Sequence, residues 1–524
     1  MIILITALLP ILVALSLVLL YWMRPNFRFF WLVALAGGFI TWVGVLLWRF
    51  RLPLELVLPA WEPAQLFSQS LSFMADPLTW LFAFGIATLI LVVILTATAR
   101  ENFPAPIPWA ATLMLGSFGI LAVLADNPLT LLMLWAAIDF VELLSQLRSV
   151  RGAQASERAV TAFAARAAGA VALLWASMVS TSVGTPMDFH NAPPQAGLYL
   201  LLASGLRLGV LPLHLPYAAE SAIRRGFGST LRLISAGSAI ILLARIPTES
   251  VISPFTPYLL ILVTLAALYG SWMWLRASDE LTARPFWLIG LASLATAAAL
   301  RGNPNGAAAW GLALLLVGTA IFLTSAYQKW LNRALLLGLL GISTLPLSIT
   351  ASGWQRGVFD LGFVWPFLLL AHAMLLAGYV RHALRPSNRK PFEDLDVWAR
   401  NTYPAGIGLA LLVILVLGIS AFEYNFQMSA LLFAVTAFLL SGLIYWLVPR
   451  VRWLQPPRAH WVSASSTATT WLDWFFRALW NSYRTLGRIS EVITSILESD
   501  GGIIWTLLFL VLLISLLGQR MPGL

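Results

Sequence analysis

The chain has 524 residues, 60% of them hydrophobic and only 10% charged, a composition that cannot be folded as a water-soluble globule. Cysteine is absent, which excludes disulfides, thiolate zinc sites, cysteine-ligated iron–sulfur clusters and cysteine nucleophiles, and five scattered histidines do not suggest a bound metal. The formal net charge is +10, and its placement along the chain tracks membrane topology rather than a nucleic-acid-binding face.

Hydrophobic runs of about 20 residues, long enough to cross roughly 30 Å of hydrocarbon as a helix, recur along the whole chain. In order they cover 2–23, 28–49, 77–99, 107–125, 127–147, 159–183, 197–221, 228–247, 256–275, 285–300, 307–326, 331–350, 361–383, 404–422, 427–448 and 503–519. The first run has no basic n-region and ends at Trp22-Met23-Arg24 without a small-residue cleavage site, so it reads as a membrane helix and not a secretion signal. The expected fold class is therefore all-α, a polytopic integral membrane protein of about 16 spans.

Placed on these spans, 24 of the 32 basic residues fall on one side, six on the other, and Arg166 and Arg207 inside spans. This positive-inside asymmetry puts both termini on the extracytoplasmic side, in a membrane expected to be a bacterial inner membrane. Between the last two spans, residues 451–502 are too polar to cross. Trp471, Trp474, Phe475, Leu479, Tyr483, Leu486, Ile489, Val492, Ile493 and Leu497 recur there at helical spacing, with Arg477, Arg484, Arg488 and Glu491 between them. This predicts an amphipathic helix over 470–498, either lying in the lipid headgroups or strapping neighbouring subunits together.

Proline interrupts two spans, at Pro212 and Pro216 in the seventh and at Pro346 in the twelfth, and each removes a backbone hydrogen bond. Breaks at matching positions of repeated halves are a pattern of membrane transporters. The five-span interval predicts two five-helix units. The expected organisation is 1–106 for the first three spans, 107–250 and 251–400 for the units, 401–450 for two further spans, 451–502 for the amphipathic helix and 503–524 for the last span.

Ala125-Asp126-Asn127-Pro128-Leu129 through Trp135 is similar to the start of the fifth helix of the antiporter-like subunits of respiratory complex I, membrane-bound hydrogenases and multisubunit sodium/proton antiporters. Phe73-Met74-Ala75-Asp76-Pro77-Leu78 resembles the Asp-Gly-Leu segment before that family's third helix. Ala162-Phe163, Gly169 and Gly184-Thr185 resemble its sixth helix, Gly205-Leu206-Arg207 with Leu211-Pro212-Leu213-His214 its broken seventh, and Ala236-Gly237 with Ala244-Arg245 its eighth. The architecture is similar to that of the large member with a lateral helix. The resemblance implies a subunit of a hetero-oligomeric ion-translocating complex, partnered by other membrane subunits through the 470–498 helix and by lipids, with no nucleic acid and no cofactor of its own. Any enzymatic role would be that of a non-redox subunit of an NADH-quinone oxidoreductase-like complex.

The same resemblance implies a relay in which a glutamate of the fifth helix pairs with a lysine of the seventh, with further lysines or histidines beyond. This chain has only two lysines, Lys329 and Lys390, both between spans. Ala136 follows Trp135, while Asp139 and Glu142 lie one and nearly two turns further on, and Arg207 stands at the lysine position. Ser229 and Ser235, with Arg232 close by, occupy the eighth span, and only His372 lies well inside the second unit. An intramembrane charge costs at least ~2.5–3.5 kcal/mol and needs a partner. Asp139, Glu142, Arg166, Arg207, His214 and Glu220 are therefore proton-path candidates. The alternatives are a half-channel gated by Asp139 or Glu142 against Arg207, a static ion pair locking the fifth and seventh helices, and a stand-alone transporter of a small anion centred on Arg207 and Arg166.

Overall fold

The computed structural model describes residues 2–59, 70–100, 106–149, 153–184, 187–215, 225–251, 253–355, 359–385, 390–420, 428–448 and 450, all within one compact unit, 1–456. Pro216, Glu220, the 470–498 helix and the 503–519 span lie outside the described residues.

The fold is all-α and polytopic. Its long helices are α1 (Ile2–Met23), α2 (Phe30–Trp48), α3 (Pro77–Thr96), α4 (Pro106–Leu124), α5 (Pro128–Ser149), α6 (Ala153–Ser182), α7 (Gly197–Leu208), α8 (Arg225–Leu243), α9 (Thr256–Arg276), α10 (Arg284–Leu300) and α11 (Pro304–Phe322). They are followed by the short α12 (Lys329–Ala334) and α13 (Gly338–Ile342), then α14 (Trp365–Leu384), α15 (Val397–Ser420) and α16 (Met428–Leu447). Among the described residues, twelve helices are long and apolar enough to cross a membrane. The order follows the expected spans, with local differences. α7 stops at Leu208, the twelfth span is made of short pieces, and α15 starts at Val397 and runs through Pro404.

α3, α8 and α11 form the almost wholly buried centre, and α3 packs against α4, α8, α11 and α15. The peripheral helices are inverted relative to those of a soluble protein. α5 turns Met133, Phe140 and Leu144 outward and Asp139, Glu142 and Gln146 inward, because lipid solvates methyl groups and the interior must solvate the charges.

The Asp and Asn of the early motifs start helices. The Asp76 carboxylate accepts from the Thr79 N–H (2.7 Å) while the Thr79 hydroxyl accepts from the Asp76 N–H (2.8 Å), a capping box for α3. Asn127 Oδ1 accepts from the Thr130 N–H (2.9 Å) at the start of α5, and its amide donates to the Ser70 carbonyl and Ser72 hydroxyl. Ser72 belongs to a small antiparallel hairpin of β1 (Leu54–Val57) and β2 (Ser72–Ala75), which is tied to the α4–α5 junction by the Phe73–Ala125 bridge. A two-residue parallel pair, β3 (Ala326–Tyr327) and β4 (Lys390–Pro391), closes a distant loop.

Both expected breaks are present. α7 ends on Gly209, whose φ of 74° and ψ of 21° belong to the left-handed region, and the chain turns through Pro212. After α13 the chain turns through Ser343–Gln355, with Thr344 and Leu347 at φ of 56° and 71° on either side of Pro346. Gly209→Ala should cost about 1–2 kcal/mol, because its Cβ is strained in the left-handed conformation. Gly237→Ala, in the middle of α8 with open space at its Cβ, should be neutral or stabilising. Thermal melts of the two variants in detergent check this contrast.

Candidate functional site

The sequence of α5 places Trp135, Asp139, Glu142 and Gln146 at successive helical turns, so all four share one inward stripe. Arg166 reaches this stripe from α6 and Arg207 from the last turn of α7. Asp139 is 4% exposed, and Glu142, Arg166 and Arg207 are at most 1% exposed, so water cannot screen these charges.

Arg207 grips Asp139 with both ends of its guanidinium, one Nη donating to Oδ2 at 2.6 Å and the other to Oδ1 at 2.8 Å. Arg166 Nε donates to the same Oδ1 at 3.1 Å, and its Nη1 lies 3.4 Å from Glu142 Oε1. The Gln146 amide donates to Glu142 Oε1 at 2.7 Å. Two guanidinium and two carboxylate groups thus form a chain of contacts whose formal charges cancel. Planar, bidentate pairing of this kind favours arginine over lysine.

Two neighbours hold Arg207 in this pose. The Trp135 ring lies against the guanidinium, 4.2 Å from Cζ to the ring centroid, and its indole N–H donates to the Ser238 hydroxyl on α8 at 3.1 Å. The other is Gly169 of α6, beside the Arg207 stem. A Cβ there would sit 2.7 Å from Arg207 Cγ and 2.8 Å from the Ala203 carbonyl oxygen, so α6 and α7 approach only because that position has no side chain.

The structure therefore brings Asp139, Glu142, Arg166 and Arg207 together. His214 is buried in the turn after α7, where its Nδ1–H donates to the Pro212 carbonyl (2.8 Å) and its backbone N–H to the Gly209 carbonyl (3.0 Å). Ser229 accepts from Arg284 (3.0 Å) and donates to the Arg225 carbonyl (2.6 Å), and Arg225 pairs with Glu280 at 2.8 Å.

At the second break, His372 Nε2–H donates to the Ile342 carbonyl at 2.7 Å, and the Trp354 indole N–H points at Nδ1 at 3.4 Å. The Thr350 hydroxyl accepts from the Thr344 N–H (3.1 Å) and donates to the Gly341 carbonyl (3.2 Å). These are the freed backbone groups of a broken helix, satisfied by neutral side chains.

Sequence reasoning missed Gln146 and the role of Trp135, although both lie on the helical stripe of Asp139 and Glu142. It also missed His190, which lies between Asp76 and Asp126 at 3.1 and 2.8 Å. Both aspartates belong to the motifs already noted, but nothing in local spacing brings residue 190 to them.

No protein-family model and no curated protein sequence matches the chain. Solved structures do. The chain is similar to one of the membrane-bound sulfane sulfur reductase, an archaeal respiratory membrane complex, with a TM-score of 0.70 and 14% identity over 98% of this chain and 100% of that one. It is similar to a chain of the Mrp complex from Dietzia sp. DQ12-45-1b, with a TM-score of 0.70 and 15% identity over 99% of this chain and 63% of that one. It is also similar to a chain of Thermus thermophilus respiratory complex I with bound NADH, with a TM-score of 0.63 and 18% identity over 84% of this chain and 100% of that one. The chain thus shares its fold with chains of these membrane complexes.

Asp139→Asn should destabilise the protein by about 3–5 kcal/mol, since it leaves two buried guanidinium groups short of their shared counter-charge. Trp135→Phe, which keeps a ring against Arg207 and loses only the bond to Ser238, should cost about 1 kcal/mol. Thermal melts in detergent read both.

Proposed function

We propose that the chain is a membrane subunit of a multisubunit ion-translocating assembly, of complex I, sulfane sulfur reductase or cation-antiporter type, and that its first half acts as a scaffold rather than a proton relay. The observation that carries this reading is the bidentate clamp of Arg207 on Asp139, backed by Arg166. A relay needs a group that releases and regains its proton near neutral pH. A guanidinium, with a pKa above ~12, holds a carboxylate without doing so.

The half-channel reading keeps one supporting observation. The buried stripe continues from Asp139 through Glu142 to Gln146, toward the C-terminal end of α5. On that reading Asp139 or Glu142 would exchange protons with His214 and Glu220. A small-anion transporter has weaker support, because Arg166 and Arg207 already hold carboxylates where an anion would dock.

The wider organisation belongs to the same proposal. The matched breaks after α7 and α13 support five-helix units over 107–250 and 251–400. The basic excess supports extracytoplasmic termini in a bacterial inner membrane. The apolar and basic periodicity of 470–498 makes that segment the expected contact with neighbouring subunits.

The test is ΔpH-coupled proton flux in vesicles holding the native assembly isolated through a tag on this chain. Glu142→Gln preserves shape and leaves the Arg207–Asp139 clamp in place, so a scaffold predicts flux within about twofold of wild type at equal subunit composition. A large loss of flux from an intact assembly would establish the half-channel instead.

A further inference from the structure

A second charged group lies at the ends of α3 and α5 that carry the Asp76 and Asn127 caps. The segment from Met187 to Pro193, between α6 and α7, crosses this end. The Phe189 N–H donates to the Asp126 carbonyl (2.7 Å), and the His190 ring sits between two carboxylates, Nδ1 2.8 Å from Asp126 Oδ1 and Nε2 3.1 Å from Asp76 Oδ2.

These contacts make a specific demand on the ring. An ionised carboxylate only accepts hydrogen bonds, and a neutral imidazole has one donor nitrogen and one acceptor nitrogen. Facing two carboxylates, the neutral ring satisfies one and opposes the other, whereas the imidazolium donates to both. The side chains of His190, Asp76 and Asp126 are 35%, 17% and 16% exposed, so the ring can exchange its proton with water.

Two other charged groups face this site. Arg245, just beyond α8, donates to the Ala125 carbonyl at 2.8 Å and stands over the Phe189 ring at 5.3 Å. Burial lowers its guanidinium below the ordinary arginine value, and Asp76 and Asp126 oppose that shift. Asp188 is occupied within its own turn, accepting from the backbone N–H of His190 (3.0 Å) and Asn191 (2.6 Å).

We propose that Asp76, His190 and Asp126 form a proton-operated clasp, in which the doubly protonated ring fastens the α6–α7 connection onto the caps of α3 and α5 and loss of its second proton releases one end. The clasp is closed where the ring is charged and both carboxylates are ionised. It loosens as pH rises and the ring becomes neutral. α5, which starts beside Asp126, and α7, into which the crossing segment leads, also carry Asp139 and Arg207, about 15–20 Å further along at 1.5 Å per residue. Closing the clasp therefore fixes the axial position of the two helices whose charges must meet.

The absence of native cysteine allows a direct test on the full-length chain in its assembly. A single cysteine is introduced by Ala192→Cys, at a partly buried position in the crossing segment, or by Gln195→Cys at an exposed one. The ratio of their maleimide-labelling rates, taken across pH, cancels the thiol's own ionisation. With the native triad the ratio should rise about tenfold from mildly acidic to alkaline pH, as expected for loss of one charge-assisted hydrogen bond. In a His190→Gln background it should be high at every pH. In an Asp76→Asn background the rise with pH should be lost, because the asparagine oxygen still caps α3 while its amide donates to the free nitrogen of a neutral ring and opposes the second N–H of a charged one. A flat ratio with the native triad, or an Asp76→Asn chain that follows the native pH response, would overturn the clasp.

Discussion

The structure depends on one shared carboxylate. Asp139 is buried in a protein whose surroundings offer almost no water, and its charge is tolerable only because Arg207 and Arg166 converge on it from separate helices. Glu142 then balances the second arginine. No member of this set can be buried alone, so α5, α6 and α7 either pack together or leave an uncompensated charge in an apolar interior. Trp135 and Gly169 follow from the same constraint, since one supplies a ring face for the guanidinium and the other the space for its stem.

The two helix breaks meet a common requirement with different chemistry. Breaking a helix inside a membrane frees carbonyl and N–H groups that lipid cannot satisfy. After α7 the Gly209 turn returns backbone donors to the helix end, with charged groups close by. After α13 the free groups meet Thr350 and His372, both bonded to backbone carbonyls. The two breaks therefore differ in what stands beside them, ion-paired side chains at the first and neutral ones at the second. Function resides in the groups placed on a fold, and this one holds a buried arginine–carboxylate cluster beside its first break.

The clasp and the lock act on the same helices from different depths. Asp76 caps α3 and Asp126 precedes the Asn127 cap of α5, so a histidine that joins them links two helix ends to the segment leading into α7. A charge on that histidine reaches the interior through helix position, without a continuous chain of titratable groups.

Much of this was legible in the residues alone. Span length and apolar composition dictated the all-α membrane class, because only helices with internally satisfied backbones can occur as serial 20-residue apolar runs. Pro212 and Pro346 marked both breaks, and intramembrane Asp139, Glu142, Arg166 and Arg207 marked themselves as partners by the cost of burying them singly. Which carboxylate each arginine holds was not legible, because helical spacing orders residues within α5 but says nothing of how deep α6 and α7 slide beside it. Nor was it legible that the His214 imidazole bonds to the Pro212 carbonyl, an acceptor that the sharp turn after Gly209 brings within its reach. His190 was one of five scattered histidines until folding carried it to Asp76 and Asp126. Contacts between residues 64 and 114 positions apart arise from packing, to which sequence periodicity is blind.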